Sequence, residues 1–130
     1  MTAPTGRRLY LATLDALSPG EHVAQAAHAL AELTAADPDA VRAWHEDTNT
    51  VVCITLDALT LGALAALAQV EELTAATFCE PDRGGELTAV AVLWPPAWPV
   101  PGVARILRRA RLTGAPGVPA PDAARRGNSL

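Results

Sequence analysis

The sequence predicts one α/β domain, with a mixed four-stranded sheet flanked by helices in the order β-α-α-β-α-β-β. Short runs of β-prone residues alternate with longer runs that have helical periodicity, which is typical of α/β layer folds. The chain has 130 residues, the size of one domain, and half of them are hydrophobic, enough for a single core. The last two strand-like runs are only six residues apart, which favours an antiparallel hairpin and therefore a mixed sheet.

The first part of the chain predicts one strand and two helices. Residues 8–14 form a short apolar run that ends at a turn, so we expect the first strand there. The breakers Pro19-Gly20 and Pro38 enclose a stretch without further breakers, which predicts one long helix. A second, short helix is expected over residues 40–46, with Asp37 as its cap.

The middle of the chain predicts three more strands and a very hydrophobic helix. Residues 50–56 are apolar on both faces and rich in β-branched side chains, which favours a central position in the sheet. Leucines recur at helical spacing over residues 59–73, which indicates a helix packed against the core. Residues 75–80 and 87–94 are the strands of the expected hairpin, and the Gly84-Gly85 pair permits a tight loop between them.

The composition changes beyond residue 94. Four prolines lie between residues 95 and 101, and they can neither continue a sheet nor lie inside a helix. We therefore expect a Pro-rich extension over residues 95–111 that ends in a short basic helix. Residues 112–130 are dominated by Gly, Pro, Ala and Arg and are expected to be disordered. The α/β domain itself is expected over residues 7–94.

The sequence also bears on compartment and cofactors. No apolar run reaches the roughly eighteen residues of a membrane span, and residues 1–8 lack the apolar part of a signal peptide, so we expect a cytoplasmic protein with no membrane partner. Cys53 and Cys79 lie inside strand-like runs, which predicts buried free thiols. The three histidines lack zinc-site spacing, so neither a metal nor a cofactor is expected. His22 and His45 are expected to be solvated.

The net charge of −4 conceals an asymmetry along the chain. Residues 1–100 contain four arginines and thirteen acidic residues, whereas residues 101–130 contain six arginines and one aspartate. The sequence contains no lysine. Because nucleic-acid phosphates require positive charge, the acidic body is a poor general nucleic-acid binder. Any RNA would have to be held by a local patch or by the C-terminal residues.

A polar stripe on the long helix is a candidate site. Glu21, Gln25 and His28 follow an i, i+4, i+7 pattern and therefore share one face of the helix. The other face is expected to point into the core and consists of Val23, Ala26, Ala27, Leu30 and Leu33. In open α/β sheets, ligands bind at the carboxyl ends of the strands, where the first strand leads into this helix. The loop that contains Asp82 is the best candidate to complete such a site.

Four stretches of the chain carry a family resemblance: Ser18-Pro19-Gly20, Ala24-Gln25-Ala26-Ala27-His28-Ala29, Asn49-Thr50-Val51-Val52, and Glu80-Pro81-Asp82 followed by Gly84-Gly85-Glu86-Leu87-Thr88-Ala89. Together they resemble the archaeal and eukaryotic type of peptidyl-tRNA hydrolase, and more closely a bacterial branch of that superfamily. The match covers roughly residues 8–92.

The resemblance implies hydrolysis of the ester that joins a peptide, or another N-blocked aminoacyl group, to the terminal ribose of tRNA or of a related acylated nucleotide. It implies catalytic roles for His28, Asp82 and Thr88. The residues implied in substrate binding are Gln25, Glu21, Arg83, Gly84 and Gly85.

The chain departs from the family pattern in three places. The lysine that the better-known members have at the start of the helix is Glu21 here. The Asp82 match requires a loop two residues longer than theirs. The threonine further along their last strand is absent, since this region is Trp94-Pro95-Pro96.

The chemistry of ester hydrolysis fits these residue types. The reaction needs a positioned water that is deprotonated, and donors for the developing oxyanion. His28 or Asp82 could act on the water, while the hydroxyl of Thr88 and the amide of Gln25 could donate to the carbonyl oxygen. Loss of the cation is expected to cost about 3 kcal/mol, a hundredfold or more in rate, unless an arginine such as Arg83 replaces it.

A second hypothesis is a binding domain that keeps the fold without the chemistry and binds tRNA, a nucleotide or a protein. Acids flanking His28 would argue against tRNA at that face. The structural alternatives stay open as well: Thr88 as a β-former, Asp82 as a turn residue and Glu21 as a partner of the helix dipole. The arginine run at residues 105–111 is either a solvated face or a tRNA contact. A homodimer through a sheet edge or the leucine-rich helix is also left open.

Overall fold

The computed structural model describes residues 6–113, which form five strands and four α-helices. The strands are β1 (Arg8–Leu14), β2 (Thr50–Leu56), β3 (Ala75–Glu80), β4 (Glu86–Trp94) and β5 (Arg111–Leu112). The helices are α1 (Pro19–Ala36), α2 (Pro38–Asp47), α3 (Ala58–Val70) and α4 (Pro101–Arg109). A single 3-10 turn, Pro81–Arg83, joins β3 to the loop before β4.

The strands form one mixed sheet in the order β3-β4-β1-β2-β5. β1 runs parallel to β2 and antiparallel to β4, and β3 and β4 form the expected antiparallel hairpin. The predicted mixed α/β architecture is therefore confirmed. The prediction that β2 is the central strand is wrong, because β1 occupies the centre and β2 has only the two-residue β5 beyond it.

The prediction of four strands is also wrong. β5 pairs Leu112 with Ile54 and Arg111 with Thr55 on the outer edge of β2. Two residues carry no periodic pattern, and this strand forms only because α4 returns the chain to that edge. The rest of the segment expected to be disordered, residues 114–130, lies outside the described residues.

The core consists of one hydrophobic cluster on each face of the sheet. Helices α3 and α4 cover one face, whose buried residues are Ala12, Leu14, Leu17, Ile54, Leu56, Leu61, Leu64, Val90, Val92, Val103 and Leu107. Helices α1 and α2 cover the other, with Leu9, Leu11, Ala29, Leu33, Trp44, Ala89, Ala91 and Leu93. Since α4 contributes two of these residues, the expected C-terminal extension packs onto the core.

Side-chain caps fix where the helices begin. The Ser18 hydroxyl accepts the Glu21 backbone N–H at 3.3 Å, and the Glu21 carboxylate accepts the Ser18 N–H at 2.9 Å, a reciprocal capping box. Asp37 caps α2 as expected, by accepting the Ala40 N–H at 3.2 Å. Asp57 caps α3 in the same way.

The face that helix α1 turns toward the sheet is only partly the one that the sequence predicts: Leu33 is buried and Ala26 and Leu30 pack against the core as expected. Its buried residues are Gln25, Ala29 and Leu33, whereas Val23, expected in the core, is 72% exposed. Alanines occur on several sides of α1, so its apolar pattern is weak. The helix orientation is decided instead by the partners that Gln25 finds on the sheet.

The prediction of buried thiols is wrong as well. Cys53 on β2 and Cys79 on the edge strand β3 are both exposed and free. Helix α1 packs against β1, β3 and β4. On the same face of the sheet, part of β2 is therefore not covered by α1 and is open to solvent, as the 45% exposure of Val51 shows. Within the described part of the chain, no helix is long and apolar enough to cross a membrane.

Candidate functional site

Polar side chains from three separate segments meet at one end of the sheet, where β1 and β3 end and β4 begins. Gln25 and His28 come from α1, and Thr88 comes from the start of β4. Glu80 ends β3, and Asp82 follows in the 3-10 turn. We refer to these five residues as the α1–β3–β4 cluster.

A row of hydrogen bonds runs through the interior of the cluster. The Thr88 hydroxyl donates to Gln25 Oε1 at 2.6 Å, and Gln25 Nε2 donates to Glu80 Oε2 at 2.9 Å. The two partners together determine which end of the Gln25 amide is oxygen and which is nitrogen. Thr88 is fully buried and Gln25 is 6% exposed. The buried Thr88 hydroxyl therefore holds Gln25 rather than offering a direct contact to a bound molecule.

Glu80 connects this row to the loop. Its second oxygen, Oε1, accepts the Asp82 backbone N–H at 3.3 Å and so caps the 3-10 turn. The hydrogen bond from the Gln25 amide, followed by the one from the Asp82 N–H, holds the pKa of the Glu80 carboxyl below its usual value. No role for Glu80 is predicted from the sequence, although a glutamate just before Pro81 at the end of a strand suits such a cap.

His28 lies at the surface of the cluster. Its imidazole stacks on the ring of Phe78 on β3, with ring centroids 4.4 Å apart and an interplanar angle of 12°. Phe78 was not anticipated from the sequence, and it fixes the plane of the histidine ring. Asp82 is exposed on the 3-10 turn. Both side chains are therefore open to solvent.

Arg83 joins two carboxylates at the rim of the cluster. Its Nε lies 2.7 Å from Glu86 Oε1 and its Nη1 lies 3.4 Å from Glu21 Oε2. The hydrogen bonds with Ser18 lower the pKa of the Glu21 carboxyl, with Arg83 as a smaller cause. The side chains are 34–45% exposed, so these ion pairs contribute little to stability. The two carboxylates nevertheless balance the positive charge of Arg83, so this arginine is not an isolated cation.

Gly84 and Gly85 shape the loop. Their φ angles are 66° and 82°, in the left-handed region that favours glycine. The Gly85 N–H donates to the Glu80 carbonyl at 3.0 Å and closes the turn. This geometry brings Arg83 back over the start of α1, where it meets Glu21.

The cluster has an acidic rim. Glu21, Glu80, Asp82 and Glu86 supply four carboxylates, against the single guanidinium of Arg83. Acids thus flank His28, the arrangement that the sequence analysis took as unfavourable for tRNA phosphates. The net negative charge of this rim disfavours phosphate groups at this end of the sheet.

His22 is more constrained than the sequence predicts. Its Nδ1 lies 2.6 Å from the Thr13 hydroxyl on β1, a partly buried contact, so the expectation of a solvated His22 is wrong. His45 is exposed and lies 3.1 Å from Asn49 Oδ1. Among residues 6–113, no three His, Cys, Asp or Glu side chains are grouped closely enough to hold a metal ion.

Comparisons with known proteins relate this chain to others by fold. No family model matches it, and no curated protein matches it. One solved structure with a similar fold is Atu0240, a protein of unknown function from Agrobacterium tumefaciens, with a TM-score of 0.60 at 11% identity. The match covers 84% of this chain and 98% of that one. At this identity the likeness shows a common fold, a single α/β domain with a mixed sheet.

Proposed function

We propose that this protein is an esterase of the peptidyl-tRNA hydrolase type, which cleaves the ester between an N-blocked aminoacyl group or peptide and tRNA. The observation that supports this is the hydrogen-bonded row Thr88–Gln25–Glu80, in which the Thr88 hydroxyl and the Gln25 amide oxygen are 2.6 Å apart and Glu80 also accepts the Asp82 backbone N–H. The row joins three segments of the chain, and the resemblance in sequence selects Gln25, Asp82 and Thr88, together with His28 on the same helix as Gln25.

In this proposal, water attacks the ester carbonyl carbon and His28 accepts the water proton. The exposed carboxylate of Asp82 orients that water. Gln25 has a second amide N–H beside the one bonded to Glu80, and it donates to the carbonyl oxygen as negative charge develops there. The C–O bond to the ribose then breaks, and His28 gives the proton it took from the water to the ribose oxygen. Thr88 and Glu80 act as positioning residues for Gln25.

The negative charge of the acidic rim restricts which part of a substrate can bind at the cluster. The acyl group and the terminal ribose are free of phosphate at the bond that is cleaved, so they avoid the repulsion that a phosphate would meet beside four carboxylates. Glu21 lacks the positive charge of the family lysine, and Arg83 is held by carboxylates. We therefore expect turnover about a hundredfold or more below that of members with the lysine.

A second candidate function is a binding domain for a nucleotide or a protein, without hydrolysis. The paired state of Glu21 and Arg83 favours it, because the rim then offers no free cation for an oxyanion.

The test is release of the acyl group from an N-blocked aminoacyl-tRNA by the purified protein. His28→Phe retains an aromatic ring on Phe78 and removes the imidazole, and His45→Phe on α2 is the matched control. We expect turnover by the natural sequence and the control, and loss of turnover in His28→Phe.

Three outcomes would contradict either the esterase proposal or the assignment of His28 as the base. Unchanged turnover in His28→Phe would reject His28 as the base. Turnover that occurs only in Glu21→Lys would favour the binding domain. Absence of turnover in both the natural sequence and Glu21→Lys would reject the esterase.

A further inference from the structure

The C-terminal part of the described chain carries an unbalanced positive charge. Residues 95–113 contain four arginines and no acidic residue. All four are exposed, and none forms an ion pair with a carboxylate of residues 6–113. We call them the arginine face: Arg105, Arg108 and Arg109 on α4, and Arg111 on β5.

Helix α4, which carries three of the four arginines, is anchored to the rest of the domain. The Glu71 carboxylate accepts the backbone N–H groups of Gly102 at 3.3 Å and Val103 at 3.0 Å, which caps a helix that has no side-chain cap from its own N-cap residue. The Trp98 indole donates to the Glu71 carbonyl at 3.0 Å. Val103 and Leu107 are buried against the core. The backbone of α4 is therefore anchored, so a ligand that binds several of these arginines does not have to order the helix first.

The spacing on α4 makes one continuous stripe. Arg105, Arg108 and Arg109 are at i, i+3 and i+4, so their Cβ atoms lie about 5–6 Å apart on one side of the helix. Arg108 and Arg109 in the last turn also interact favourably with the helix dipole. That effect does not explain Arg105 near the middle of α4 or Arg111 beyond its end.

The sheet register relates the arginine face to the α1–β3–β4 cluster. One row of paired residues crosses the sheet on the α1 face, in the order Phe78, Ala89, Thr13, Thr55 and Arg111. Four inter-strand steps of about 4.8 Å separate its ends, about 19 Å in all. The row begins under the His28 ring and ends at Arg111. This row therefore locates Arg111 only, because Arg105, Arg108 and Arg109 are on α4, which packs on the opposite face of the sheet. A ligand that contacts both His28 and the α4 arginines must cross the sheet and reach its other face.

We propose that the arginine face binds the phosphate backbone of an RNA and holds the body of the substrate while its acylated end reaches His28. The identity of that RNA as tRNA rests on the proposed function. The charges support separate sites for the phosphates and for the ester. Phosphates are favoured at four arginines that form no ion pair within residues 6–113, and they are disfavoured beside the acidic rim.

The experiment measures binding of deacylated tRNA by the full chain as a function of salt concentration. The variant R105Q/R108Q/R109Q removes three phosphate contacts. We expect the slope of log affinity against log salt to fall in magnitude by about three, since each contact contributes about one. The charge-conserving variant R105K/R108K/R109K should retain the natural slope. Arg42→Gln on α2 is the single-charge control and is compared with Arg108→Gln, which should show the larger loss.

An unchanged slope in the triple Gln variant, or an equal loss in Arg42→Gln, would overturn the inference. So would arginine-dependent binding to phosphatidylserine-containing vesicles without binding to tRNA, which would point to a membrane surface.

A second measurement separates this inference from the proposed function. An N-blocked aminoacyl-adenosine has the ester but no RNA body, so the triple Gln variant should hydrolyse it at the natural rate while losing activity on the full tRNA ester. Equal losses on both substrates would contradict an RNA-holding role. Deacylated tRNA has no ester, so its binding is measured without hydrolysis. The salt dependence of that binding therefore tests the RNA-binding role of the arginine face even if the protein hydrolyses neither ester.

Discussion

At the residue scale, the arrangement of Gln25 depends on two neighbours that are distant in sequence. Thr88 donates to its oxygen and Glu80 accepts from its nitrogen, so the side chain has one favourable orientation. An unpaired amide in this nearly buried position would cost about 1–3 kcal/mol. The cluster thus requires Gln25, Thr88 and Glu80 together, and the exposed His28 and Asp82 depend on this framework for their placement.

The hydrogen bonds to Glu80 predict a pH effect on stability. The pKa of its carboxyl is lower in the folded protein than the usual 4.5, first because of Gln25 and second because of the Asp82 N–H. A lowered folded pKa means that the ionised group stabilises the fold above about pH 4.5, and that this contribution is lost as pH falls through the folded pKa. In Glu80→Gln, the free energy of unfolding should fall less between pH 6 and pH 3 than in the natural protein.

Urea unfolding at a series of pH values measures this difference. Glu32→Gln serves as the control, because Glu32 is an exposed glutamate on α1. If Glu80→Gln and Glu32→Gln have the same pH dependence, the Gln25–Glu80 hydrogen bond does not stabilise the ionised carboxylate.

At the element scale, contacts from outside a helix determine how that helix lies. α1 turns Gln25 toward the sheet because β3 and β4 supply its hydrogen-bond partners. α4 begins where the Glu71 carboxylate receives its first N–H groups, and Gly102 leaves room for that approach: a Cβ there would lie 3.2 Å from the Leu67 methyls and 3.3 Å from Glu71 Oε1. The Glu71 contacts join residues 31 and 32 positions apart, and the Gln25 contacts join residues 55 and 63 positions apart.

Glu71→Ala should therefore loosen α4 specifically. We expect loss of its cap to destabilise the protein by about 1–2 kcal/mol, a typical value for removing a helix cap. Amide hydrogen exchange should become faster in α4 and β5, with little change in α1. The measurement is hydrogen exchange followed by peptide mass spectrometry.

Glu72→Ala is the matched control, since it removes a neighbouring glutamate that is exposed and makes no contact with the start of α4 among the described hydrogen bonds. Equal acceleration of exchange in the two variants would show that Glu71 does not hold α4.

At the scale of the whole molecule, the helices cover the centre of the sheet more completely than its margins. β1 and β4 are almost fully buried, while β2 and β3 have exposed residues on one or both faces. Charge is divided as well, with an acidic rim at one end of the sheet and the arginine face on α4 and β5. Along the sheet, Phe78 beneath the His28 ring and Arg111 are about 19 Å apart, and the other three arginines are on α4, on the opposite face.

Because the margins of the sheet are open to solvent, we predict that the thiols on β2 and β3 are reactive in the folded protein. Cys53 and Cys79 are exposed, so both should react with a thiol-specific reagent in the folded protein without denaturant. Absorbance of the released chromophore should give two equivalents for the natural protein and one for each of Cys53→Ser and Cys79→Ser. Labelling that begins only in urea would mean that the margins of the sheet are covered in solution.

Most strands and helices could be predicted from the sequence because their signals are local. The apolar run of β1, the breakers around α1 and the glycines between β3 and β4 act over a few residues, and the structure has elements at each of these places. The resemblance to the hydrolase family also selects Gln25 and Thr88, and the structure shows that these two side chains are hydrogen-bonded to each other. β5 was missed because two residues show no pattern.

Local signals in the sequence account for the order of the elements, the mixed sheet and the residue types available for chemistry, since propensity, breakers and hydrophobic period are properties of short segments. The three-dimensional arrangement is needed to see that Gln25 points inward and Val23 outward, that Glu80 and Phe78 lie at the cluster, that Arg83 is paired, and that both thiols are exposed. Each of these depends on hydrogen bonds, ion pairs or coverage between residues far apart in the chain, and no local pattern in a single sequence records which distant partners will meet.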